Sequence, residues 1–250
     1  MTLRTRALPL ALRATAVLAV ISIPILLATS SLRFAINAGA LYEYGFDRYD
    51  ISLRTGIARA ELSRIGEEIR YYFNDDSGLI DIDAVIYGEL QPLFTEREVL
   101  HMKDVKGLIH GVYMWQWITL GYLAASIAAY VLLRRRDSMA GVVRVGSWGG
   151  AVTLLIIGAL GIGSVVGFES LFLKFHQLSF ANDLWRLNPR VHNLIAMFPE
   201  PFFRDATLFV AIMAIGQALL LVSVGLGWRV SRRFTLERKG ADLEEQGRAS

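Results

Sequence analysis

A chain of 250 residues, 54% of them hydrophobic, with a mean hydropathy of +0.41 and a net charge of only +3, is too apolar for an ordinary soluble domain. The basicity is too slight for a nucleic-acid footprint, so no nucleic-acid partner is expected. No cysteine is present, which excludes a disulfide, a thiolate nucleophile, a thiolate metal site and cysteine lipidation of the chain itself.

Four apolar stretches, 14–32, 108–133, 145–167 and 206–228, approach or exceed the ~20 residues that a helix needs to cross ~30 Å of hydrocarbon. The expected fold is therefore an α-helical integral membrane protein, a single membrane domain over 1–237. Arg4, Arg6 and Arg13 precede the first stretch, and Arg134, Arg135, Arg136 and Arg144 lie between the second and third. Arg229, Arg232, Arg233, Arg238, Lys239 and Arg248 follow the fourth. These segments hold thirteen basic against five acidic residues, while the rest of the chain holds thirteen basic and eighteen acidic. Short loops rich in Lys and Arg stay cytoplasmic, so both termini are predicted inside and the segments 33–107 and 168–205 outside. The Arg residues, apolar run and "ATSS" at the start loosely imitate a cleaved signal peptide, although the run is longer than a usual 7–15-residue signal core.

After the first span, "GIARAELSRIGEEIRYYF" places Ile57, Leu62, Ile65, Ile69 and Tyr72 at helical spacing, as in an amphipathic helix. The turn cluster Asn74 to Gly78 follows, and "LIDIDAVIYG" then alternates as a short strand or hairpin does. A small α+β cap between spans one and two is the expected result. Thr95 followed by Glu98 is a capping box, with Phe94 and Val99 as its hydrophobic staple, so a helix starting at Glu96 is predicted to run into span two.

On that helix His101 and Asp104 share one face, where a carboxylate can accept the imidazole N–H and leave the other ring nitrogen free. The spacing alone suits an ordinary polar contact at a membrane boundary equally well. All four histidines, His101, His110, His176 and His192, fall in or beside the two segments predicted outside. In the second of these, Phe172, Phe175 and Phe180 suit the membrane interface. Asn182 suits the cap of a short helix with Asp183 in its first turn, ended by Pro189, and His192 reads as structural. Within span three, Gly163 and Gly167 have the spacing of a close helix contact. No compact His-Glu-x-x-His ligand set occurs, so neither a metal nor a cofactor is expected. The tail 238–250, polar and without apolar periodicity, is expected to be disordered and cytoplasmic.

Three blocks, "YGFDRYDISLRTGIARAEL" at 44–62, "LFTEREVLHMKDVKGL" at 93–108 and "FHQLSFANDLWRLNP" at 175–189 followed by "FPEPFF", resemble the bacterial lipoprotein intramolecular transacylases (Lit), four-span membrane enzymes. The block Leu93 to Val105 is the most specific part. The resemblance implies transfer of the sn-2 acyl chain from the diacylglyceryl group on a lipoprotein's N-terminal cysteine to that cysteine's own α-amine. A lyso-form lipoprotein would result, so diacylglyceryl lipoproteins and membrane lipids are the implied partners. The bacterial cell membrane is the implied location, with the site at its outer face.

The resemblance carries the family's two functional histidines onto His101 and His176. An α-amine, with a pKa of about 7.7–8.0, must lose a proton before attacking an ester, and a neutral histidine oriented by Asp104 suits that task. The nearest partners for the oxyanion are His176, ranked first, then Lys103, Lys106 and Arg186. Those cations equally suit snorkelling to lipid headgroups. Arg33 and Tyr42, which precede the first block, and Tyr44, Arg48 and Tyr49 within it are candidates to line the same pocket, or to be surface residues. The competing class is a noncatalytic four-span sensor or partner-binding subunit with an envelope-facing cap. The two readings separate on whether His101 and His176 converge.

Overall fold

The computed structural model describes residues 3–133 and 138–249, with side chains described over 13–133, 138–161 and 167–235. The basic run Arg134–Arg136 and the Gly163 side of the expected glycine contact lie outside the described residues. In chain order the elements are α1 (Leu3–Asn37), α2 (Gly39–Arg48), α3 (Ile51–Thr55), α4 (Arg59–Tyr72), β1 (Asp83–Ile86) and β2 (Glu89–Pro92). They continue as α5 (Glu96–Leu133), α6 (Ser138–Ser179), α7 (Asn193–Met197) and α8 (Glu200–Ala249). Four helices carry stretches long and apolar enough to cross a membrane: Arg13–Asn37, Glu96–Leu133, Ser138–Gly161 and Glu200–Thr235. The fold is that of an α-helical integral membrane protein with a small α+β cap between the first two of these.

The 38 residues of α5 extend about 57 Å at 1.5 Å per residue, well beyond ~30 Å of hydrocarbon. Its surplus is the first three turns, which carry Glu96, Arg97, Glu98, Lys103, Asp104 and Lys106 ahead of the apolar run from Leu108. Charged side chains at that density suit the headgroup region and the water beyond it. Within α6 the helix is interrupted at Gly167, whose ψ of 85° is non-helical, so the apolar span and the stretch bearing His176 are separate helical pieces.

The chain forms two compact units. One comprises Met1–Leu27, Trp117–Gly158 and Ala214–Ser250. Its buried centre is Ile23, Leu27 and Ala218, packed by Leu123, Val145, Leu154 and Leu221. Large apolar side chains such as Leu18, Trp117, Leu132, Leu155 and Leu220 point outward, as a surface solvated by lipid requires.

The other unit comprises Ala28–Gln116 and Ala159–Met213 and holds the cap. Helix α4 forms as its apolar spacing predicts, burying Leu62, Ile65, Ile69 and Tyr72. These join Phe46, Ile51, Ile57, Ala84, Ile86, Leu93, Met197 and Phe198 in one core. Strands β1 and β2 pair antiparallel around Tyr87 and Gly88, both with positive φ, the geometry of a two-residue type I′ hairpin. Alternation in β1 turns Ala84 and Ile86 inward, and a bridge from Ile86 to Ile57 fastens the hairpin ahead of α4.

Gly45 faces Phe202 so closely that an added Cβ would sit 2.5 Å from its Cδ2. Gly45→Ala should therefore lower the melting temperature of the detergent-solubilised protein, with an overpacking cost of about 1–3 kcal/mol. An unchanged melting curve would show that Phe202 can move aside freely.

Two expectations are corrected. Residues 181–187 form bends and a turn rather than a short helix ended by Pro189. Asn182 uses its Oδ1 to accept the Leu184 N–H at 3.0 Å, an Asx turn that competes with helix initiation. The tail expected to be disordered from Arg238 is helical through Ala249. Leu236, Glu237, Arg238, Lys239, Ala241, Leu243, Glu244 and Glu245 are good helix formers, and elongating an existing helix avoids the cost of nucleation.

Candidate active site

The site starts from the capping box. Both the N–H and the hydroxyl of Thr95 donate to Glu98 Oε2, at 2.8 and 2.7 Å, which starts α5 at Glu96 as its residues predict. Glu98 is fully buried, and its Oε1 accepts the Leu194 N–H at 2.7 Å, a bond across 96 residues. Three further bonds fasten the chain after α6 to this start of α5. Arg97 donates to the Asp183 carbonyl, Asn182 Nδ2 donates to Asp104 Oδ2 at 2.8 Å, and Asn193 Nδ2 donates to the Leu93 carbonyl at 2.8 Å.

This fastening brings two histidines together. His101, 6% exposed, lies one turn beyond Arg97, and its ring centroid is 6.3 Å from that of His176, with the planes 34° apart. Aromatic rings enclose the pair. Phe180 meets His101 edge-on at 5.1 Å, while His176 is contacted by Phe172 at 4.4 Å, Phe175 at 5.3 Å, Phe180 at 5.7 Å and Trp185 at 5.2 Å.

The two imidazoles are held differently. His176 Nδ1 lies 2.7 Å from the Phe172 carbonyl one turn back, and a carbonyl only accepts, so Nδ1 carries the proton. In the neutral ring this leaves Nε2 with its lone pair free. His101 Nδ1 is buried without a hydrogen-bond partner among the described residues. Burial pushes the His101 imidazole down to about 4, His176 adds to the shift, and Asp104 opposes it without reversing it. His101 is thus a neutral base at physiological pH and, once protonated, a strong proton donor. Asp104 does not bond to it directly as its spacing suggests. The carboxylate is taken by Asn182, so packing rather than a carboxylate orients the His101 ring.

A family model described as lipoprotein intramolecular transacylase Lit matches residues 17–203, three quarters of the chain. The chain belongs to the Lit family. A protein of Aquifex aeolicus (strain VF5), described only as uncharacterized, is 32% identical over 152 residues. That match covers 59% of this chain and 62% of the Aquifex protein, so less than two thirds of the relative's length is spanned. Among solved structures, the membrane-integral lipoprotein intramolecular transacylase Lit from Bacillus cereus is similar in fold, with a TM-score of 0.75 at 21% identity. That similarity covers 90% of this chain and 98% of the Bacillus chain. A variant of the same Bacillus protein with a histidine replaced by arginine is similar at a TM-score of 0.72, 20% identity, and 93% and 98% coverage.

In this Lit-family chain the other side chains expected near the site divide sharply. Arg186 is exposed, pairs with Asp183 at 3.0 Å and lies 5.1 Å from the Trp185 ring, one ring removed from His176. Lys103 is exposed on α5. Lys106 is drawn elsewhere: its Nζ, buried, donates to Asp75 Oδ1 at 2.5 Å and to the Ser77 carbonyl at 2.7 Å, and sits over the Tyr72 ring at 4.2 Å. That ion pair holds the Asp75 carboxyl below the usual carboxylate range and ties the Asn74–Gly78 turn to α5. Lys106 is a cap fastener. Tyr44 and Tyr49 both donate to Asp205 Oδ2, at 2.8 and 2.6 Å, with Arg48 beside the Tyr49 ring at 6.0 Å. Tyr42 donates to the Ile36 carbonyl at 3.0 Å, and Arg33 to Gln116 Oε1 at 3.0 Å. The first block therefore builds the cap and its link to Asp205, and among the described residues none of these bonds reaches a histidine.

Sequence reasoning missed Arg97, Trp185 and Asp205 as organisers of this region. Arg97 carried a readable signal, being four residues before His101 on the same helical face. His110 and His192 remain outside the pair, bonded to the Phe73 carbonyl at 3.1 Å and the Asn188 N–H at 2.8 Å respectively.

Proposed function

We propose that this chain is an O-to-N acyltransferase at the outer face of the bacterial cytoplasmic membrane, with both termini inside. It moves the sn-2 acyl chain of a diacylglyceryl-cysteine lipoprotein to the cysteine's own α-amine and so makes a lyso-form lipoprotein. The observation that carries this reading is the convergence of His101 and His176 inside an aromatic enclosure. A structural protein has no need to bring two histidines from separate helices together while leaving one buried nitrogen unpaired.

In this reaction the amine nitrogen forms a bond to the ester carbonyl carbon, and the bond from that carbon to the glyceryl oxygen breaks. His101, neutral because it is desolvated, takes the proton from the attacking amine and returns it to the leaving oxygen. His176, its ring fixed by the Phe172 carbonyl, presents Nε2 beside His101 and helps to hold the reacting groups in place. Donor and acceptor belong to one residue, so holding the amine close to the carbonyl supplies much of the rate. Phe172, Phe175, Phe180 and Trp185 limit access of water that would hydrolyse the ester instead.

The test is co-expression with a diacylglyceryl lipoprotein and mass spectrometry of the N-terminal lipopeptide. An N-acylated lyso-product is expected, and a persistently free amine would favour a noncatalytic membrane module. A pH profile gives an independent check. Because His101 stays neutral down to about pH 4, its protonation should not set the acid limb near neutrality. Activity should instead rise with the deprotonated amine, through an apparent pKa of about 7.7–8.0. A limb near the ordinary histidine value of about 6.5 would remove the desolvated histidine from this role.

A further inference from the structure

A second site lies in the other unit, and the inference from it does not depend on the proposed activity. A cavity of about 420 Å³ opens between α6 and α8, lined by Ala140, Val143, Arg144 and Ser147 from one helix and Gly225, Trp228, Arg229, Arg232 and Arg233 from the other. Its floor is tight, since a Cβ on Gly225 would fall on Ser147 Oγ. Arg229, Arg232 and Arg233 follow i, i+3, i+4 spacing, which puts three guanidinium groups on one face of α8, with Arg144 contributed by α6.

Among the described residues none of these four arginines has a carboxylate within ion-pair distance, although eight other ion pairs form. Trp228 adds a further donor, its Nε1 buried with no hydrogen-bond partner among the described residues. The polar lining is therefore dominated by donors. Guanidinium groups and an indole N–H can satisfy only an acceptor, and several converging cations select an anion. Serving as membrane-topology signals would require only that the arginines lie on one side, not that they surround a cavity with an idle indole N–H.

We infer that this cavity binds the phosphate of an anionic phospholipid. Phosphate oxygens match the planar fork of arginine, which holds them in two parallel bonds. The apolar run 206–228 ends at Trp228 and the run 145–167 begins just after Arg144, so the cavity sits where hydrocarbon gives way to headgroups. Ala140, Val143 and the Trp228 ring supply apolar wall for the glyceryl and first acyl carbons, which inorganic phosphate lacks. The lipid is the occupant on that ground.

Native mass spectrometry of the full-length protein in neutral detergent, titrated separately with phosphatidylglycerol and phosphatidylcholine, tests the assignment. One phosphatidylglycerol should be retained in preference to phosphatidylcholine. Its affinity should fall about tenfold or more in the variant with Arg229→Gln and Arg232→Gln. Should that variant fail to fold, Trp228→Phe keeps an aromatic side chain while removing the N–H together with the smaller ring of the indole, and is expected to weaken retention of the same lipid by a smaller factor. Equal retention of the two lipids, or variants that retain phosphatidylglycerol as the parent does, would overturn the proposal. Thermal stabilisation by inorganic phosphate equal to that by phosphatidylglycerol would overturn the lipid assignment in favour of a free anion.

Discussion

His101→Ala should reduce lyso-lipoprotein formation by about 10²–10⁴-fold, the usual contribution of a positioned acid or base, far more than the modest fall in melting temperature expected from the cavity that the lost ring leaves. The ring occupies a site walled by Phe180 and facing His176, and His101 Nδ1 makes no hydrogen bond whose loss would weaken the fold. What disappears is the group that accepts the amine's proton. His101→Gln is the sharper companion, because it fills the space and supplies polar atoms without a titratable nitrogen. If either variant kept near-normal yield, His101 would leave the mechanism. His176→Ala is expected to lose activity as well, and its effect combined with His101→Ala should fall short of the product of the two, since both act on one step.

Glu98→Ala should produce the opposite pattern, losing stability first and activity as a consequence. One buried carboxylate satisfies the N–H and hydroxyl of Thr95 and the N–H of Leu194. Removing it leaves buried donors unpaired and cuts a link between the start of α5 and α7, at a cost of about 3–5 kcal/mol. The melting temperature should fall by about 10 °C in a detergent-based thermal unfolding experiment. Activity should fall in parallel, because the same fastening positions the chain that carries Asn182 and Trp185 over His101 and His176. Glu98→Gln should be intermediate, since its carbonyl still accepts from one donor while its amide cannot accept from Thr95. A Glu98→Ala protein that unfolds like the parent would show that the other three bonds hold the segment without it.

Much of the architecture was legible because the physics behind it is local. Apolar length predicts the spans, the Thr95-to-Glu98 interval predicts where α5 begins, the 57–72 periodicity predicts α4, and alternation before Tyr87-Gly88 predicts the hairpin. Each depends on residues within a few positions of one another. The failures arose where a local signal met a stronger competitor. Asn182 reads as a helix cap but forms an Asx turn and bonds to Asp104, and Lys106 reads as a site cation but is claimed by Asp75 and Ser77.

By itself the sequence determined a four-span membrane chain with a capped helix bearing His101 and, through its resemblance to the Lit family, two histidines worth testing. Only the tertiary structure decided what those histidines have around them. The 6.3 Å approach of His101 to His176 and the Asp104 carboxylate taken by a residue 78 positions away both follow from how the chain is fastened onto α5. Helix starts and membrane spans are set by neighbours along the chain, whereas a side chain's protonation and partners are set by whatever folding packs against it.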